Sequence, residues 1–544
     1  MKVQPIIQQQ NNKEFNNQPK FKGAVDESLR WFATNQAIGA NAVDFCFMVT
    51  PRTASDTVKR GPNAGMETFR REIMGTVNDS AVGLYGASAG AIAAYALSKK
   101  FDTEVNKIFT APETLNILAE NKAEQLKNNK TQADYIKRTL EGVKAYNPTS
   151  KTADKDGYVR LSESTINDVS AYYDELLNKK ANFSEWVKRG SDKSRAAIIN
   201  RMIEDTGAET TYVLESTDRK IVSKTNLKSL LNDLFIVSDS FNNKKVNEAF
   251  LEQIKNKQEI SENAFVKGLT KFMKTRAVAG FAMASAVGLS VQPINMYLTK
   301  LKTGSDGFVG VEGRSKDNSA GFLGIKALSS VAFFSMILST LNIKPWKFTP
   351  AKFMDKMSFN GKMPTINQLK GIYGVTIISR IFSARDKDEL REVLTKDTLG
   401  YLSWLVLGDI VNRFTAAMID NSVVNFKKGT ENKGKFTKLF NASLKTRDEI
   451  LIETLAQNGI KSTKEEGEKV VAKTFKEMQK ELDKLSPVTK KIAKKRLRTL
   501  NAAQISGYLF SGLVLGLGIP NLNIYITNYL DKKRKAEAVN KKAS

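Results

Sequence analysis

Long runs without a charged side chain divide this chain into apolar and polar segments. Residues 277–299, 327–343 and 501–530 contain no Asp, Glu, Lys or Arg, and residues 398–419 contain only two such charges. A bilayer core about 30 Å thick is crossed by about 20 helical residues. The first and third of these segments clearly reach that length and the other two are marginal. The pattern therefore predicts membrane-embedded helices, with burial in a large soluble core as the alternative.

The stretches between the apolar segments are polar and mostly helical in period. Leu227, Leu230, Leu231 and Leu234 mark one apolar face in the largest of them. We therefore predict an all-α, multi-pass or membrane-embedded protein with two polar helical inserts. Its expected regions are a disordered Gln/Asn-rich tail (1–24), a small-residue-rich helical region (25–100), a polar helical domain (101–275), a membrane-embedded region (276–420), a polar basic insert (421–500) and a C-terminal apolar segment with a basic tail (501–544).

The first two dozen residues do not have the organisation of a signal peptide. They lack a basic start followed by an apolar stretch, and they are rich in Gln and Asn instead. Insertion into a membrane would then depend on the internal apolar segments. The expected location is a membrane, without a cleavable signal peptide.

Two absences narrow the possible chemistry. The 544 residues contain no histidine and a single cysteine, Cys46. These facts exclude a Ser-His-Asp triad, a His-ligated metal, a cysteine zinc site and an intrachain disulfide within the chain. Neither a P-loop nor a dinucleotide fingerprint is present. We therefore predict no cofactor and no metal.

The chain is strongly basic, with 84 Lys and Arg against 57 Asp and Glu. The lysines run through every polar segment, whereas a nucleic-acid interface concentrates charge on one face with interleaved aromatics. Nucleic acid is therefore an unlikely partner, and most of these charges are expected on solvated helix faces. One cluster directly precedes the longest apolar run and suits anionic lipid headgroups, at about 1 kcal/mol per charge. Its members are Lys490, Lys491, Lys494, Lys495, Arg496 and Arg498.

An internal repeat joins two of the apolar segments. Residues 288–300 read GLSVQPINMYLTK and residues 516–528 read GLGIPNLNIYITN. Each copy contains a proline, which breaks or kinks a helix, and paired broken segments are typical of transporter-like sites. The alternative is that both copies end a helix at the membrane interface. The shared or paired positions include Gly288, Pro293, Tyr297 and Thr299 in the first copy and Gly516, Pro520, Tyr525 and Thr527 in the second.

The number of crossings between the two copies determines their relative direction. If only the four charge-poor segments cross, the copies belong to the first and fourth crossings and point in opposite directions. If residues 371–384 also cross, the copies are parallel. Because 14 residues interrupted by Arg380 are short for a crossing, we predict the inverted arrangement.

The two charges inside residues 398–419 are Asp409 and Arg413. Their spacing of four places them on one helix face, within reach of each other. An embedded ion pair of this kind is a functional-site hypothesis, and together with Asn295 and Asn523 it could line one polar cavity. The alternative is an ordinary pair on the surface of an amphipathic helix.

A short Gly-x-Ser-x-Gly motif is the sharpest catalytic signal in the sequence. It lies in LYGASAGAIAA, which resembles the nucleophile elbow of patatin-like lipid acyl hydrolases. The resemblance implies Ser88 as a nucleophile in a Ser-Asp dyad, which needs no histidine. The same stretch also reads as a helix whose Gly86, Gly90 and Ala94 form a small-residue packing face, the interpretation that we favour.

These observations predict a non-enzymatic membrane protein with a role in transport, lipid organisation or scaffolding. Its expected partners are a lipid bilayer and anionic lipids. The first alternative is a membrane-associated patatin-like hydrolase that uses Ser88. The second is a soluble helical scaffold that binds anionic surfaces.

Overall fold

The protein is built mostly from long helices. It is 76% helical with few strands, which confirms the predicted all-α class for the chain as a whole. Most of the expected disordered tail, residues 1–24, lies outside the described residues. The computed structural model describes residues 21–34, 36–178, 193–216, 222–304, 316–358, 364–467 and 469–543.

The regular elements follow in chain order. The α-helices of the described residues are α1 (Phe21–Thr34), α2 (Gln36–Asp44), α3 (Thr50–Arg60), α4 (Pro62–Phe101), α5 (Pro112–Lys127), α6 (Gln132–Glu141), α7 (Glu163–Asn178), α8 (Lys193–Thr206), α9 (Leu227–Phe241), α10 (Lys244–Lys255), α11 (Ala264–Thr303), α12 (Ala320–Thr340), α13 (Pro350–Lys356), α14 (Ile366–Ser383), α15 (Lys387–Leu402), α16 (Gly408–Ile419), α17 (Lys435–Phe440), α18 (Arg447–Gln457), α19 (Phe475–Asp483), α20 (Pro487–Ser511) and α21 (Ile519–Ala543). Short π-helical segments cover Phe45–Val49, Ser403–Leu407 and Gly512–Gly518. The strands are β1 (Val143–Tyr146), β2 (Tyr158–Arg160), β3 (Tyr212–Glu215), β4 (Val222–Thr225), β5 (Val424–Asn425), β6 (Ser443–Leu444), β7 (Thr463–Glu466) and β8 (Lys469–Ala472).

Helices α4 and α11, each 40 residues long, form a first antiparallel hairpin. Glycines allow the two backbones to approach closely, because a Cβ added to Gly280 would lie 2.9 Å from the Cα of Gly86. Gly86, Gly90 and Ala94 all lie on the buried side of α4. The small residues of this stretch therefore pack against another helix, as small residues do wherever helices approach closely.

This glycine contact gives a direct test of the first hairpin. Replacing Gly280 by Ala places a methyl group against backbone that cannot rotate away, so we expect a loss of about 1–3 kcal/mol in stability. The matched control is Gly324→Ala in α12, where an added Cβ meets nothing within 4 Å. We expect that change to raise stability by roughly 0.5–1 kcal/mol, because Ala favours helix over Gly. Thermal unfolding of the detergent-purified protein measures both, and equal shifts would contradict the contact.

A second antiparallel hairpin is formed by α15 and α16 on one side and α20 and α21 on the other. Each side is continuous through a π-helical segment. Glycines again lie where the two sides approach closely, since a Cβ added to Gly507 would lie 3.0 Å from the carbonyl oxygen of Gly408. The hairpin therefore repeats the construction of the first one.

Each hairpin carries a polar insert between its two helices, and both inserts lie at the same end of the bundle. The first insert contains the antiparallel sheet β2-β1-β3-β4, and the second contains the hairpins β5-β6 and β7-β8. Both inserts share one apolar core with the nearby ends of the long helices, including Phe101, Phe265, Ala416 and Leu497. We call this side of the molecule the insert end and the opposite side the far end. The strands were not predicted, since helical periodicity dominates the polar segments.

Buried acids in the inserts make their stability depend on pH. Burial raises the pKa of Asp233 to about 7, while its Oδ1 accepts a 2.8 Å hydrogen bond from Thr110. Burial likewise raises the pKa of Glu449 to about 7. The folded protein therefore holds protons that the unfolded chain releases near pH 4, and stability falls as the pH rises from about 4 to about 7.

We expect Asp233→Asn to remove its share of this pH dependence. The amide keeps an oxygen for Thr110 and carries no charge, so the variant should be roughly 2–4 kcal/mol more stable than wild type above pH 7. The two proteins should differ little near pH 4. Asp168→Asn, at a carboxylate that is 60% exposed, is the control. Thermal unfolding at several pH values decides, and parallel curves for the variant and wild type would contradict the assignment.

Helices α12 and α14 complete the bundle between the hairpins. The start of α12 lies beside the end of α14, where Lys326 donates to the carbonyl oxygen of Phe382 at 3.0 Å. The end of α12 lies beside the start of α14, where Lys370 donates to the carbonyl oxygen of Thr340 at 3.2 Å. Both helices thus run the length of the bundle.

Because α14 runs from the insert end to the far end, the two repeat copies are parallel and the predicted inverted arrangement is wrong. Both copies run from the insert end toward the far end. The length criterion excluded α14 incorrectly. This helix is enclosed by other helices and needs no lipid-facing surface. Its Leu369, Ile372, Ile377 and Ile381 are fully buried. The interrupting Arg380 is also buried, in ion pairs described below.

Five helical stretches are long and apolar enough to cross a membrane, by length and composition. In the most apolar 18-residue stretch of each, only 22–39% of the residues are buried inside the fold. The five stretches within the described residues are Pro62–Phe101, Ala264–Thr303, Ala320–Thr340, Lys387–Ile419 and Pro487–Leu530.

Candidate functional site

In the first repeat copy, the polar residues face inward and the aromatic residue faces outward. Asn295 and Thr299 are 3% exposed, whereas Tyr297 is 62% exposed. Arg70 of α4 donates to both buried residues, at 2.9 Å to Asn295 Oδ1 and 2.9 Å to Thr299 Oγ1. Pro293 lies inside α11 on its exposed face. The repeat therefore marks a helix contact near the far end.

The second copy has the same arrangement with two differences. Thr527 is buried and accepts a 2.7 Å hydrogen bond from Arg391 of α15, while Tyr525 is 69% exposed. Asn523 is also buried, but its Oδ1 has no hydrogen-bond partner among the described residues. Pro520 is buried here, unlike Pro293. The amide oxygen at Asn523 is thus unsatisfied, whereas that of the equivalent Asn295 accepts from Arg70.

The two hairpins match in register once their π-helical segments are taken into account. Sixteen residues separate Arg70 from Gly86, and seventeen separate Arg391 from Gly408. The extra residue falls in a stretch that contains the π-helical segment at 403–407, and π-helical turns accommodate one more residue than α-helical turns. On the partner helices, Gly288 follows Gly280 by eight positions. The equivalent Gly516 follows Gly507 by nine positions, and the segment at 512–518 begins in this stretch. The two hairpins are therefore equivalent in the spacing of their matched arginines and glycines.

A cluster of buried charges lies between these two units. Glu72 of α4 accepts from Arg52 at 3.4 Å and from Arg380 at 3.3 Å. Asp397 of α15 accepts from Arg380 at 3.1 Å and lies 3.9 Å from Arg52. All four side chains are 1–3% exposed. A buried charge is tolerated only when it is paired and hydrogen-bonded, which these contacts provide.

Further ion pairs join the first unit to α14, α15 and the turn between them. Lys396 lies 3.4 Å from Glu72, which makes this carboxylate the centre of the cluster. Toward the far end, Arg60 of α3 pairs with Glu392 at 3.1 Å. Arg385 pairs with Glu67 at 3.3 Å. We call this set, together with Arg52, Arg380 and Asp397, the charge cluster.

The charge cluster borders a cleft that is open to solvent on one side. The space that water-sized molecules can enter measures about 40 Å³, well below the roughly 300–1,000 Å³ of small-molecule pockets, so the cleft is narrow in this conformation. Its walls carry both signs of charge, and the second repeat copy contributes Pro520, Asn523 and Ile524. The unpartnered Oδ1 of Asn523 and the unpartnered Nε of Arg52 are thus both on residues that line it. The described residues contain no group of three or more His, Cys, Asp or Glu side chains suited to a metal ion.

The structure does not bring Asp409 and Arg413 to this cleft. The two form an ion pair, but Asp409 is 60% exposed. Arg413 also donates to the carbonyl oxygens of Leu439 and Phe440, which places the pair against the second insert. The expectation of one cavity shared with Asn295 and Asn523 is therefore wrong, because the three sites lie in different parts of the bundle.

Ser88 lies in the middle of α4, not on a strand-to-helix turn. Its residue is exposed, and its hydroxyl donates a 3.0 Å hydrogen bond to the carbonyl oxygen of Tyr85. A nucleophile elbow requires a sharp turn that presents the serine. The local geometry expected from the patatin-like resemblance is accordingly replaced by regular helix.

The basic run at the start of α20 lies at the insert end. Lys490 and Lys494 pair with Asp483 at 3.1 and 2.7 Å, and Arg496 pairs with Glu453 at 2.9 Å. These contacts leave about half of the run directed to solvent. The exposed members are Lys491, Arg498 and Lys495, the last of which also lies 3.8 Å from the carboxylate of Asp420.

The charge cluster was not predicted from the sequence, although one signal pointed to it. Arg380 is the single charge between the apolar stretches GIYGVTIIS and IFSA. A lone charge in an apolar segment of a membrane protein marks a candidate functional site. Glu72 gives no such signal, because it lies among other charged residues. Its partners come from three other elements, which a single sequence does not show to be close.

No protein-family model, no curated protein and no solved structure matches this chain.

Proposed function

We propose that the protein is a non-enzymatic integral membrane protein of the carrier type, which binds a small charged solute between its two equivalent hairpins. The charge cluster is the observation that carries this proposal. It is buried between the helices of a bundle whose outward surfaces are apolar, and ionisable groups in such places line solute or ion pathways.

The outward surfaces favour a bilayer over a soluble bundle. Large apolar side chains project from the long helices without protein contacts to cover them. Soluble monomers rarely expose apolar patches larger than a few hundred Å². The strongly exposed examples on the candidate spans include Leu84, Ile92, Leu328, Val331, Met418, Leu509 and Leu513. Lipid chains would cover these side chains, and the bilayer is thus the first expected partner.

The place of the cleft supports a carrier in particular. Transporter sites form at the interface between internal repeats, near helices interrupted by proline or glycine. Here the cleft opens between the two hairpins and is lined by Pro520 of the second copy. Its walls offer both cations and carboxylates, so a polar solute with at least one charge would suit it once the narrow cleft widens. Ion pairs such as Arg60–Glu392 would close this side of the path and separate when it opens.

Anionic lipids are the second proposed partner. The exposed basic residues of α20 lie on the helix that leads into the longest apolar run. Each would contribute about 1 kcal/mol beside an anionic headgroup layer. Lys491, Lys495 and Arg498 are the residues proposed for this contact.

Labelling of single cysteines tests whether the cleft is a water-filled site inside a membrane protein. Val393→Cys and Ile524→Cys are placed in the cleft in a Cys46→Ser background, and the protein is reconstituted in vesicles. A membrane-impermeant maleimide should label both positions from one side only. The controls are Leu328→Cys, which should stay unlabelled in lipid, and Val488→Cys at the insert end, which should be labelled when that end faces the reagent.

Two results would overturn the proposal. Equal labelling of Leu328→Cys and the cleft positions would show that the apolar faces meet water. No labelling of either cleft position from any side, with Val488→Cys reactive, would show that the cleft is closed to solutes.

A further inference from the structure

One buried carboxylate of the bundle has no partner. Asp79 of α4 is 1% exposed, and neither of its side-chain oxygens has a hydrogen-bond partner among the described residues. Among the described residues, no cationic side chain lies within ion-pair distance of Asp79. Glu72, two turns earlier on the same helix, forms ion pairs with four cationic side chains. Asp79 is therefore the exception to the pairing of the charge cluster.

A second carboxylate faces the same side of α4. Asp44, at the end of α2, is 3% exposed and accepts a hydrogen bond from Thr76 Oγ1. Residues 72, 76 and 79 share one stripe of the helix, because they are spaced by about one turn. Asp44 and Asp79 therefore approach each other across this stripe.

The charged groups around the two carboxylates come from three elements. Arg380 of α14 interacts electrostatically with both carboxylates. Its side chain lies 3.8 Å from the Cβ that a side chain at Gly75 would carry. Glu72 and Arg52 act on Asp44 in addition. Arg380 already donates to Glu72 and Asp397, which leaves only its Nε without a partner.

An ionised carboxylate in this place is very costly. It is removed from water, it has no hydrogen-bond donor, and it lies beside a second carboxylate. Each of these conditions favours the protonated form. Protonation is how buried carboxyls without cations usually persist in proteins, and intramembrane carboxyls that exchange a proton serve as relays in pumps and transporters.

We propose that Asp79, together with Asp44, is the proton-binding site of this protein. The inference rests on the proposed carrier function and names the ion that would be coupled to solute movement. When Asp79 loses its proton, the O–H bond breaks and the proton passes to a water molecule. The resulting carboxylate attracts Arg380, which weakens its pairs with Glu72 and Asp397. Proton release would thereby loosen the contact between the two hairpins.

Infrared spectroscopy of the 544-residue protein in detergent measures the proton directly. A protonated carboxyl absorbs through its carbonyl stretch, apart from the bands of carboxylates. We expect wild type at pH 7.5 to show this band. In Asp79→Asn a part of the band should be missing, and in wild type that same part should disappear only when the pH is raised further. Asp483→Asn removes a carboxylate that is 51% exposed, and it should leave the band unchanged.

The same samples separate the alternatives. If Asp79→Asn does not yield folded protein, Asp44→Asn replaces it, and the band of Asp79 should then titrate at lower pH because its acidic neighbour is gone. An unchanged band in the folded Asp79→Asn protein would overturn the inference, as would a band removed by Na⁺ at constant pH, which indicates a cation site. Either result would leave the cysteine-labelling test of the carrier intact, so the two proposals fail separately.

Discussion

Replacing Glu72 by Gln will destabilise the bundle more than any other single change proposed for it. The carboxylate holds four cations, and the neutral amide leaves Arg52 and Arg380 with only Asp397 as a common acceptor. Removing one member of a buried ion pair typically costs about 3–5 kcal/mol, because the remaining charge stays buried without compensation. Thermal unfolding of the detergent-purified protein should show a correspondingly large fall in Tm.

A second variant separates the lost pairing from a general packing defect. Glu72→Gln/Arg380→Gln removes one charge of each sign, so it should recover part of the stability that the single change loses. Glu262→Gln, in an ion pair with both partners more than half exposed, is the control and should have almost no effect. A double variant less stable than the single variant by the full cost of Arg380→Gln alone would mean that the two residues are not coupled.

Replacing Leu328 by Lys will strongly reduce insertion into membranes. Leu328 lies in the middle of α12, is 72% exposed, and would face lipid. A lysine near the bilayer centre costs about 2.5–3.5 kcal/mol on insertion scales. A soluble bundle predicts the opposite, since surface substitutions away from special features change stability by about 0.5 kcal/mol or less. The fraction of expressed protein recovered in washed membranes measures the effect.

The control for this prediction is Val488→Lys. Val488 is 69% exposed, close to Leu328 in exposure, but it lies at the insert end beside a basic run. The change should leave the membrane-recovered fraction as in wild type. Equal recovery of Leu328→Lys and Val488→Lys would contradict a lipid-facing α12.

The length of charge-free segments predicted some helices of the bundle. It did not predict the helices whose charges have partners inside the fold. All four charge-poor segments lie in helices. The stretch Pro62–Phe101 was not predicted to cross, because Glu67, Arg70, Glu72 and Asp79 interrupt it. Glu67 and Glu72 form ion pairs inside the bundle. Arg70 donates hydrogen bonds to Asn295 and Thr299, so these three charges do not oppose embedding. Hydropathy counts a charge in the same way whether or not a partner covers it.

The repeat was visible in the sequence, but its meaning was not. Thirteen aligned positions identified the copies, while their parallel direction depended on α14, which is too short and too interrupted by Arg380 to be recognised as a crossing. The equivalence of the whole hairpins was hidden by the single extra residues of the π-helical segments, which shift the register of any sequence comparison. Contacts such as Arg70 with Thr299 and Arg391 with Thr527 reveal it.

The charge cluster and the proton-binding site depend on contacts between residues far apart in the chain. Glu72 and Arg380 are 308 positions apart and meet through the packing of α4 on α14. Neither helix alone indicates a partner for its charge. Periodicity locates elements along the chain, whereas the assembly of four elements around one carboxylate is a property of the tertiary fold.

Extraction of isolated membranes with alkaline carbonate tests the central claim most directly. Carbonate removes proteins held at the surface by charge and leaves those whose helices cross the bilayer. Because the long helices expose apolar faces and bury their charges, we expect the protein to remain in the membrane pellet and to enter solution only with detergent. Complete release of folded protein into the carbonate supernatant would contradict an integral membrane protein, and with it a carrier.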